Sequence, residues 1–146
     1  MTEPRPTVIV SAALIAHEGR ILAAKRAARP GSEEFEGKWE LPGGKVEPGE
    51  QPDAACRREC KEELGITLGV LWPYTTVEHD YPEFHLTMEV FSGTLAPGQE
   101  PKLLEHEAMR WLRRDELLSV DWLPADVELV RSFGMNWDGI FEDMHM

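Results

Sequence analysis

Residues 44–66 read GKVEPGEQPDAACRRECKEELGI, and this stretch decides the fold of the chain. Pro52 suits the first position of a helix because it has no N–H to leave unpaired, and Asp53 places an acidic side chain in the first turn. Gly65 suits the position just past a helix end, where glycine adopts a left-handed conformation without strain. The sequence therefore predicts a helix over residues 52–64 that follows a glycine loop.

The second half of this predicted helix carries three glutamates. Because side chains three and four positions apart share a helix face, we expect Glu59, Glu62 and Glu63 to form one carboxylate cluster. Carboxylate oxygens without histidine or cysteine partners suit hard cations, Mg2+ or Mn2+, which water and substrate phosphates also ligate. On the glutamates alone, a solvated acidic face is the commoner explanation. Their register with the glycine loop, Arg58 and Gly65 favours a metal site for phosphoryl or pyrophosphoryl chemistry.

As a whole, residues 44–66 resemble the Nudix box, written G-x5-E-x7-R-E-U-x-E-E-x-G-U, in which U is a bulky aliphatic residue. One U position departs from the pattern, because Cys60 stands where Ile, Leu or Val is usual. The fixed residues are all present at their spacing: Gly44, Glu50, Arg58, Glu59, Glu62, Glu63 and Gly65.

This resemblance implies both a fold and a site. The implied fold class is α+β, an α/β/α sandwich around a mixed β-sheet, with the box forming a strand, a loop, a helix and a strand. The box glutamates would be the catalytic and metal-binding residues, joined by a loop carbonyl at the position of Gly43. Glu50 and Arg58 would orient the loop and the glutamates rather than react. Gly44 and Gly65 belong to the same scaffold.

The resemblance extends to about residue 133 and is closest to the MutT-like branch, whose members hydrolyse oxidised purine nucleotides or cytidine nucleotides. Arg26 matches an arginine that lies near the substrate in relatives, although a surface charge is an equal alternative. Glu105 matches a further metal ligand or catalytic base, although it could be a free loop carboxylate. Lys45 could contact phosphate or be solvated.

Asp126 is the candidate for substrate specificity. It ends the segment LPAD, where relatives carry a polar side chain that reads the edge of the base. An ionised aspartate only accepts hydrogen bonds, which would favour the amino or imino hydrogens of cytosine, adenine or guanine. The alternative is that Asp126, just after Pro124, caps the last helix.

Outside the box, the chain predicts mixed strands and helices within a single domain over residues 1–146. Its core is expected over about 7–133, and the role of the tail, 134–146, is open. Periodicity and turn residues predict the following segments: strands at 7–15, 20–25, 68–77, 84–94 and 108–112, loops at 27–38 and 96–104, and helices at 114–118 and 124–133.

Composition excludes several classes of protein. The net charge of −12 disfavours binding to nucleic-acid polymers and messenger-RNA decapping, but not binding of small nucleotides. We expect no membrane span and no signal peptide, because no long apolar run is present. Cys56 and Cys60 lie four apart on the predicted helix and are expected to be buried free thiols rather than a disulfide or a metal pair. A cytoplasmic location fits these features.

Other side chains carry weaker signals. We assign no role to His85 or His106, which more often serve structure. The tryptophans at 39, 111 and 122 are expected to pack, although one of them could stack on a base.

Together these features predict a pyrophosphohydrolase, dependent on Mg2+ or Mn2+ and monomeric or homodimeric, that releases a nucleoside monophosphate and pyrophosphate. Glu59 is the leading candidate for the base that activates water, with Glu105 as its rival. An ADP-ribose or sugar-nucleotide hydrolase is the alternative within the family, disfavoured because such relatives carry extra strands before the first core strand. The alternative outside enzymes is a nucleotide-sensing regulatory domain.

Overall fold

The computed structural model describes residues 5–28 and 35–138. They form seven strands and two helices, with a short 3-10 helix at Arg114–Glu116 between the last strand and the second helix. The strands are β1 Thr7–His17, β2 Arg20–Lys25, β3 Trp39–Glu40, β4 Gly43–Lys45, β5 Leu68–Asp80, β6 His85–Leu95 and β7 Ala108–Leu112, and the helices are α1 Pro52–Leu64 and α2 Pro124–Met135.

The strands form a mixed sheet around β1. The strand order is β3-β2-β1-β6-β5, with β4 paired to β1 and β7 paired to β2. Strands β1 and β6 run parallel from the pair Thr7–His85 to the pair Ile15–Gly93, whereas the other pairings are antiparallel. The long crossover between β1 and β6 contains the 44–66 stretch, so the sheet topology brings the glycine loop and α1 back against β1.

Alternating residues of β1 supply two separate cores. Ala12 and Leu14 belong to the cluster that contains α2 residues such as Leu129. Ala13 and Ile15 belong to the cluster on the other face, which α1 covers. Successive side chains of a strand point to opposite faces, so these apolar residues bury both faces of the sheet. The predicted α+β class, with helices on both sides of a mixed sheet, is confirmed.

Helix α1 has the predicted bounds. Pro52 stands in its first turn, and Gly65 follows it with φ +65°, the left-handed conformation that ends a helix. Cys56 and Cys60 are fully buried on the side that faces the sheet, and both are free thiols. Contact with Cys56 and burial raise the pKa of the Cys60 thiol. The prediction that both cysteines are buried apolar thiols is confirmed.

Some boundaries differ from the predicted ones. The predicted glycine loop contains the short strand β4. This strand pairs with β1, and Gly44 stands opposite Ser11. The last helix continues to Met135, and Trp137 stacks on Phe133 at a ring-centroid distance of 6.4 Å. The rest of the predicted tail, including Ile140 and Phe141, lies outside the described residues, as do residues 29–34 of the predicted loop.

No described helix has the length and hydropathy needed to cross a membrane.

Candidate active site

A cavity of about 510 Å³ lies where β1, β4, α1 and the start of α2 meet. Its wall combines acidic, basic and aromatic side chains with two glycines. These residues are Glu40, Glu47, Glu59, Glu63, Glu105 and Asp126, then Arg26 and Lys45, then Phe35, Tyr81 and Phe84, and finally Gly43 and Gly44. A single cavity therefore holds most of the site residues that the sequence predicts.

The two glycines allow the loop to pack against β1 and α1. A Cβ atom on Gly43 would lie 2.0 Å from the carbonyl oxygen of Ser11, so no other residue fits without moving the strand. A Cβ atom on Gly44 would lie 2.4 Å from Cδ of Glu59. Backbone at this position therefore lies directly against the carboxylate of Glu59, which is the close approach that glycine permits.

Arg58 holds the loop and the helix together. Its guanidinium donates to both carboxylate oxygens of Glu50, at 2.8 and 2.9 Å, and to the carbonyl oxygen of Lys45 at 2.9 Å. It also donates to Oε1 of Glu59 at 2.8 Å and to Oε2 of Glu62 at 3.2 Å. The hydrogen bond from Arg58 lowers the pKa of Glu50 to about 2, and the same pairing raises the pKa of Arg58. This forked geometry suits a residue that orients the glutamates.

The surroundings of Glu63 disfavour the ionised form of its carboxyl group. Its side chain is 10% exposed, and the Gly43 N–H donates to its Oε1 at 3.3 Å. Burial raises the pKa of Glu63 to about 7, and the charges of Glu40 and Glu59 add to this, although His106 and the Gly43 hydrogen bond act in the opposite direction. A divalent cation at this position would relieve the repulsion among these carboxylates.

Glu40 and His106 adjoin Glu63. Nε2 of His106 lies 2.9 Å from Oε2 of Glu40 and 3.8 Å from Oε2 of Glu63. Burial lowers the pKa of His106, but the Glu40 hydrogen bond and the charge of Glu63 raise it overall. Arg26 donates to the other oxygen of Glu40 at 3.1 Å.

Aromatic rings line the part of the cavity near Arg26. The ring centroids of Phe35 and Tyr81 are 5.5 Å apart, and those of Tyr81 and Phe84 are 4.9 Å apart. The Arg26 guanidinium lies 6.0 Å from the centre of the Phe35 ring. The hydroxyl of Tyr81 accepts a hydrogen bond from the backbone N–H of Ala125 at 3.3 Å, which ties this wall to the start of α2.

Asp126 also lines the cavity, and it is 3% exposed. It stands in the first turn of α2, whereas the N-cap residue is Leu123, so Asp126 does not cap the helix from the N-cap position. Burial, with a further contribution from the charge of Glu40, raises the pKa of Asp126 well above its usual range. Burial therefore favours the neutral carboxyl group, which both donates and accepts, and the expectation that Asp126 only accepts hydrogen bonds applies to its ionised form and stays a prediction.

Glu62 is placed apart from the other box glutamates. Its side chain is 53% exposed and lies outside the residues that line the cavity, held by Arg58. Helical spacing puts it on the same side as Glu59, but the helix is rotated so that Glu59 and Glu63 face the cavity. The role of Glu62 as a metal ligand stays a prediction, as do the roles of Lys45 and Glu105.

Several residues in or beside the cavity carry little or no signal in the sequence. Glu40 adjoins the glycine loop in sequence, and a carboxylate there is the one available hint. His106 follows Glu105 directly, but nothing local indicates that its ring meets a glutamate 66 positions away. The aromatic wall joins residues from a loop and from the β5–β6 connection, which only the sheet topology brings together.

We expect Gly44→Ala to lower kcat by about 10–100-fold, because the added methyl group displaces the carboxylate of Glu59 and small misplacements of reacting groups are costly. The matched control is Gly19→Ala. Gly19 has φ +75°, and a methyl group added there would have no other atom within 4 Å, so this change strains only the turn between β1 and β2. Steady-state kinetics of both variants make the comparison. An unchanged kcat for Gly44→Ala would contradict the placement of Glu59 in the reaction.

Known proteins match both the sequence and the fold. The NUDIX domain family matches residues 5–133. A Mycobacterium tuberculosis protein named "Putative 8-oxo-dGTP diphosphatase 2" is 36% identical over 138 residues, covering 94% of this chain and 95% of its own length. The CTP pyrophosphohydrolase of Escherichia coli is 37% identical over 129 residues, covering 85% and 89%. The crystal structure of a MutT NUDIX hydrolase from Burkholderia pseudomallei superposes with a TM-score of 0.75 at 30% identity, covering 86% of this chain and 96% of that one.

Proposed function

This chain belongs to the Nudix hydrolase family, and from that premise we propose that it is a Mg2+-dependent pyrophosphohydrolase of nucleoside triphosphates. The products are a nucleoside monophosphate and pyrophosphate. The observation that carries the proposal is the composition of one cavity, with carboxylates and glycine backbone in one part and aromatic rings with Arg26 and Asp126 in another. The first part suits a metal-bound triphosphate, and the second suits a nucleobase.

The residues present fit a hard divalent cation. Glu59, Glu63 and Glu105 line the cavity together with the backbone of Gly43, so carboxylate and carbonyl oxygens are the donors available there. Oxygen donors of this kind match Mg2+ and Mn2+ better than zinc or copper. The absence of a side chain on Gly44 lets the backbone lie against the Glu59 carboxylate, because a Cβ atom there would lie 2.4 Å from Cδ of Glu59. Support for a cation also comes from the raised pKa of Glu63, whose charge His106 and the Gly43 N–H compensate only in part.

The reaction is a displacement at phosphorus by water. When bound, Mg2+ would lower the pKa of the attacking water and neutralise the charge of the leaving pyrophosphate. Glu59 accepts the proton of that water, and Arg58 fixes the carboxylate of Glu59 through the 2.8 Å hydrogen bond. Glu105 is the alternative base. Lys45, exposed at the cavity edge, offers its ammonium group to the phosphates.

The aromatic part of the cavity provides the binding site for the base. Phe35, Tyr81 and Phe84 present ring faces and edges on which a planar heterocycle can pack, and Asp126 presents a polar group at the base edge. Relatives named for 8-oxo-dGTP and for CTP support the two substrate classes we propose, oxidised or otherwise modified purine nucleotides and cytidine nucleotides. A panel of common, oxidised and methylated triphosphates, assayed by pyrophosphate release, tests this proposal.

The cysteines and the net charge bear on the cellular location of the enzyme and on its partners. The two cysteines are buried free thiols, which suits a reducing compartment, and we place the enzyme in the cytoplasm. The strongly acidic net charge disfavours nucleic-acid polymers as partners.

We expect Asp126→Ala to change the ranking of substrates. Leaving a buried polar group without its hydrogen-bond partner costs about 1–3 kcal/mol, which corresponds to about 5–150-fold in relative kcat/KM between the best base and the poorest. Turnover of the poorest substrate should change little, because the metal and triphosphate contacts remain.

The matched variant for this test is Asp126→Asn. An asparagine both donates and accepts, as a neutral carboxyl group does, so it should keep the ranking within about threefold if that form reads the base. A ranking that Asp126→Ala leaves unchanged would remove Asp126 from substrate recognition. A loss of ranking in both variants would instead indicate an ionised carboxylate.

A further inference from the structure

His106 is a buried polar residue that the proposed reaction does not use. Its side chain is 3% exposed, although it lies in the connection before β7, directly after Glu105. Among the described residues, Nδ1 of His106 is the one buried side-chain nitrogen or oxygen without a hydrogen-bond partner. Burying an unsatisfied polar atom costs free energy, so the contacts of the other ring nitrogen must offset the cost of burying this side chain.

Those contacts join three separate segments. Nε2 of His106 lies 2.9 Å from Glu40 at the end of β3 and 3.8 Å from Glu63 in the last turn of α1. The ligand-type atoms of the three residues all lie within 4.8 Å of one another. The Nε2 atom of His106 is thus the one nitrogen in a close group with two carboxylates that repel each other.

Each carboxylate also accepts a hydrogen bond at its other oxygen, Oε1. Arg26 donates to Oε1 of Glu40 at 3.1 Å, and the backbone N–H of Gly43 donates to Oε1 of Glu63 at 3.3 Å. The arrangement is a continuous series of contacts from Arg26 to the glycine loop, with His106 at its centre. The backbone next to His106 is anchored too, because the Glu107 N–H donates to the carbonyl oxygen of Lys25 at 2.9 Å.

We propose that His106 is a positioning residue that, anchored on Glu40, holds the carboxylate of Glu63 in the orientation that binds the divalent cation. This inference rests on the proposed function, because it takes Glu63 as a metal ligand. Outer-shell partners of metal ligands fix the orientation of the ligand, and their loss commonly costs about 10–100-fold in metal affinity or activity. The required feature is a donor at the position of Nε2, anchored by a rigid loop.

Two amide substitutions separate this role from simple packing. His106→Gln places an amide nitrogen near the position of Nε2, whereas His106→Asn carries the same amide too short to reach it. We expect His106→Gln to keep Mn2+ affinity within about threefold of the native protein and His106→Asn to lose about 10–100-fold. The affinity for Mn2+ alone is measured by electron paramagnetic resonance without nucleotide, and kcat at saturating metal is measured in parallel.

Further variants control the result. His106→Leu fills the space without a donor and should behave as His106→Asn does, while Glu107→Gln, at the exposed neighbouring residue, should change neither quantity. Melting temperatures report whether each variant folds, and the Gln and Asn pair decides the question if the Leu variant does not. Equal Mn2+ affinity in the Gln and Asn variants, whether both native or both reduced, overturns the positioning role.

The Mn2+ measurement is independent of the substrate. If the native protein binds Mn2+ but hydrolyses no nucleotide, the proposed reaction fails while the role of His106 still stands or falls on the Gln and Asn comparison. If the native protein binds no Mn2+, both proposals fail.

Discussion

Glu59→Gln is expected to lower kcat by about 10²–10⁴-fold, the range found when a general base is removed. The Glu59 side chain is 18% exposed on the cavity wall, and Arg58 donates to its Oε1 at 2.8 Å. Glutamine preserves the size of the side chain and an oxygen that can accept from Arg58. It provides neither a proton acceptor for water nor a charged ligand for a cation.

The fold should survive this substitution. Burial of a carboxylate beside the Gly44 backbone is tolerated only with compensation, so a neutral side chain imposes no extra desolvation cost. The matched control is Glu128→Gln on the exposed surface of α2, which removes the same charge and should leave kcat within about twofold. Steady-state kinetics and melting curves of both variants make the comparison. Native turnover by Glu59→Gln would exclude Glu59 as the base.

Glu63→Gln is expected to stabilise the metal-free protein at alkaline pH while abolishing stabilisation by Mg2+. The pKa of Glu63 is raised from 4.5 to about 7 in the folded protein, chiefly by burial. Its contribution to stability is therefore fully present below pH 4.5 and is lost as the pH rises through 7. Each pKa unit corresponds to about 1.4 kcal/mol, so the neutral glutamine should gain about 3 kcal/mol at pH 8 and little at pH 4.

Chemical denaturation in EDTA at the two pH values measures the difference in the free energy of unfolding between the variant and the native protein. In Mg2+ we expect the opposite order, with the native protein the more stable of the two. A cation that binds only the folded state stabilises it more as its affinity rises, and the variant lacks the Glu63 carboxylate that would bind Mg2+. Glu62→Gln is the control, because the half-exposed neighbouring carboxylate should change the metal-free stability by less than about 0.5 kcal/mol. A Glu63→Gln protein less stable than the native protein at pH 8 in EDTA would refute the effect assigned to the buried charge.

Local signals explain why the box helix could be predicted to the residue. Proline at its start and a left-handed glycine at its end act within one turn, so the bounds Pro52–Leu64 follow from neighbouring residues alone. The continuous β-branched and apolar run at residues 7–15 likewise predicts a buried strand, and in the structure its two faces contribute to two cores.

The glycine segment shows the limit of local reasoning. Paired glycines commonly form turns, so the sequence predicts a loop at Gly43–Lys45. In the structure this segment is a strand, because the missing side chains let it lie against Ser11 and Ala12 of β1. The contact depends on a segment about 30 positions away, which no local pattern reports.

For the candidate site too, local spacing predicts some features and the packing of the whole fold determines the others. Spacing along α1 places Glu59, Glu62 and Glu63 on one side, but it does not say how the helix is rotated against the sheet, and that rotation leaves Glu62 half-exposed. The pairing of His106 with Glu40 and the raised pKa of Asp126 both depend on the whole fold, which brings these residues together and buries them.

The central proposal is that the carboxylate cavity cleaves a nucleoside triphosphate between its α and β phosphates with the help of a divalent cation. The most direct measurement is a 31P nuclear magnetic resonance time course with the best substrate of the panel, run with Mg2+, with EDTA, and with Glu59→Gln. We expect equal amounts of nucleoside monophosphate and pyrophosphate with Mg2+, and neither product in the other two reactions. Release of orthophosphate with a nucleoside diphosphate, or the same turnover in EDTA, would contradict the proposal.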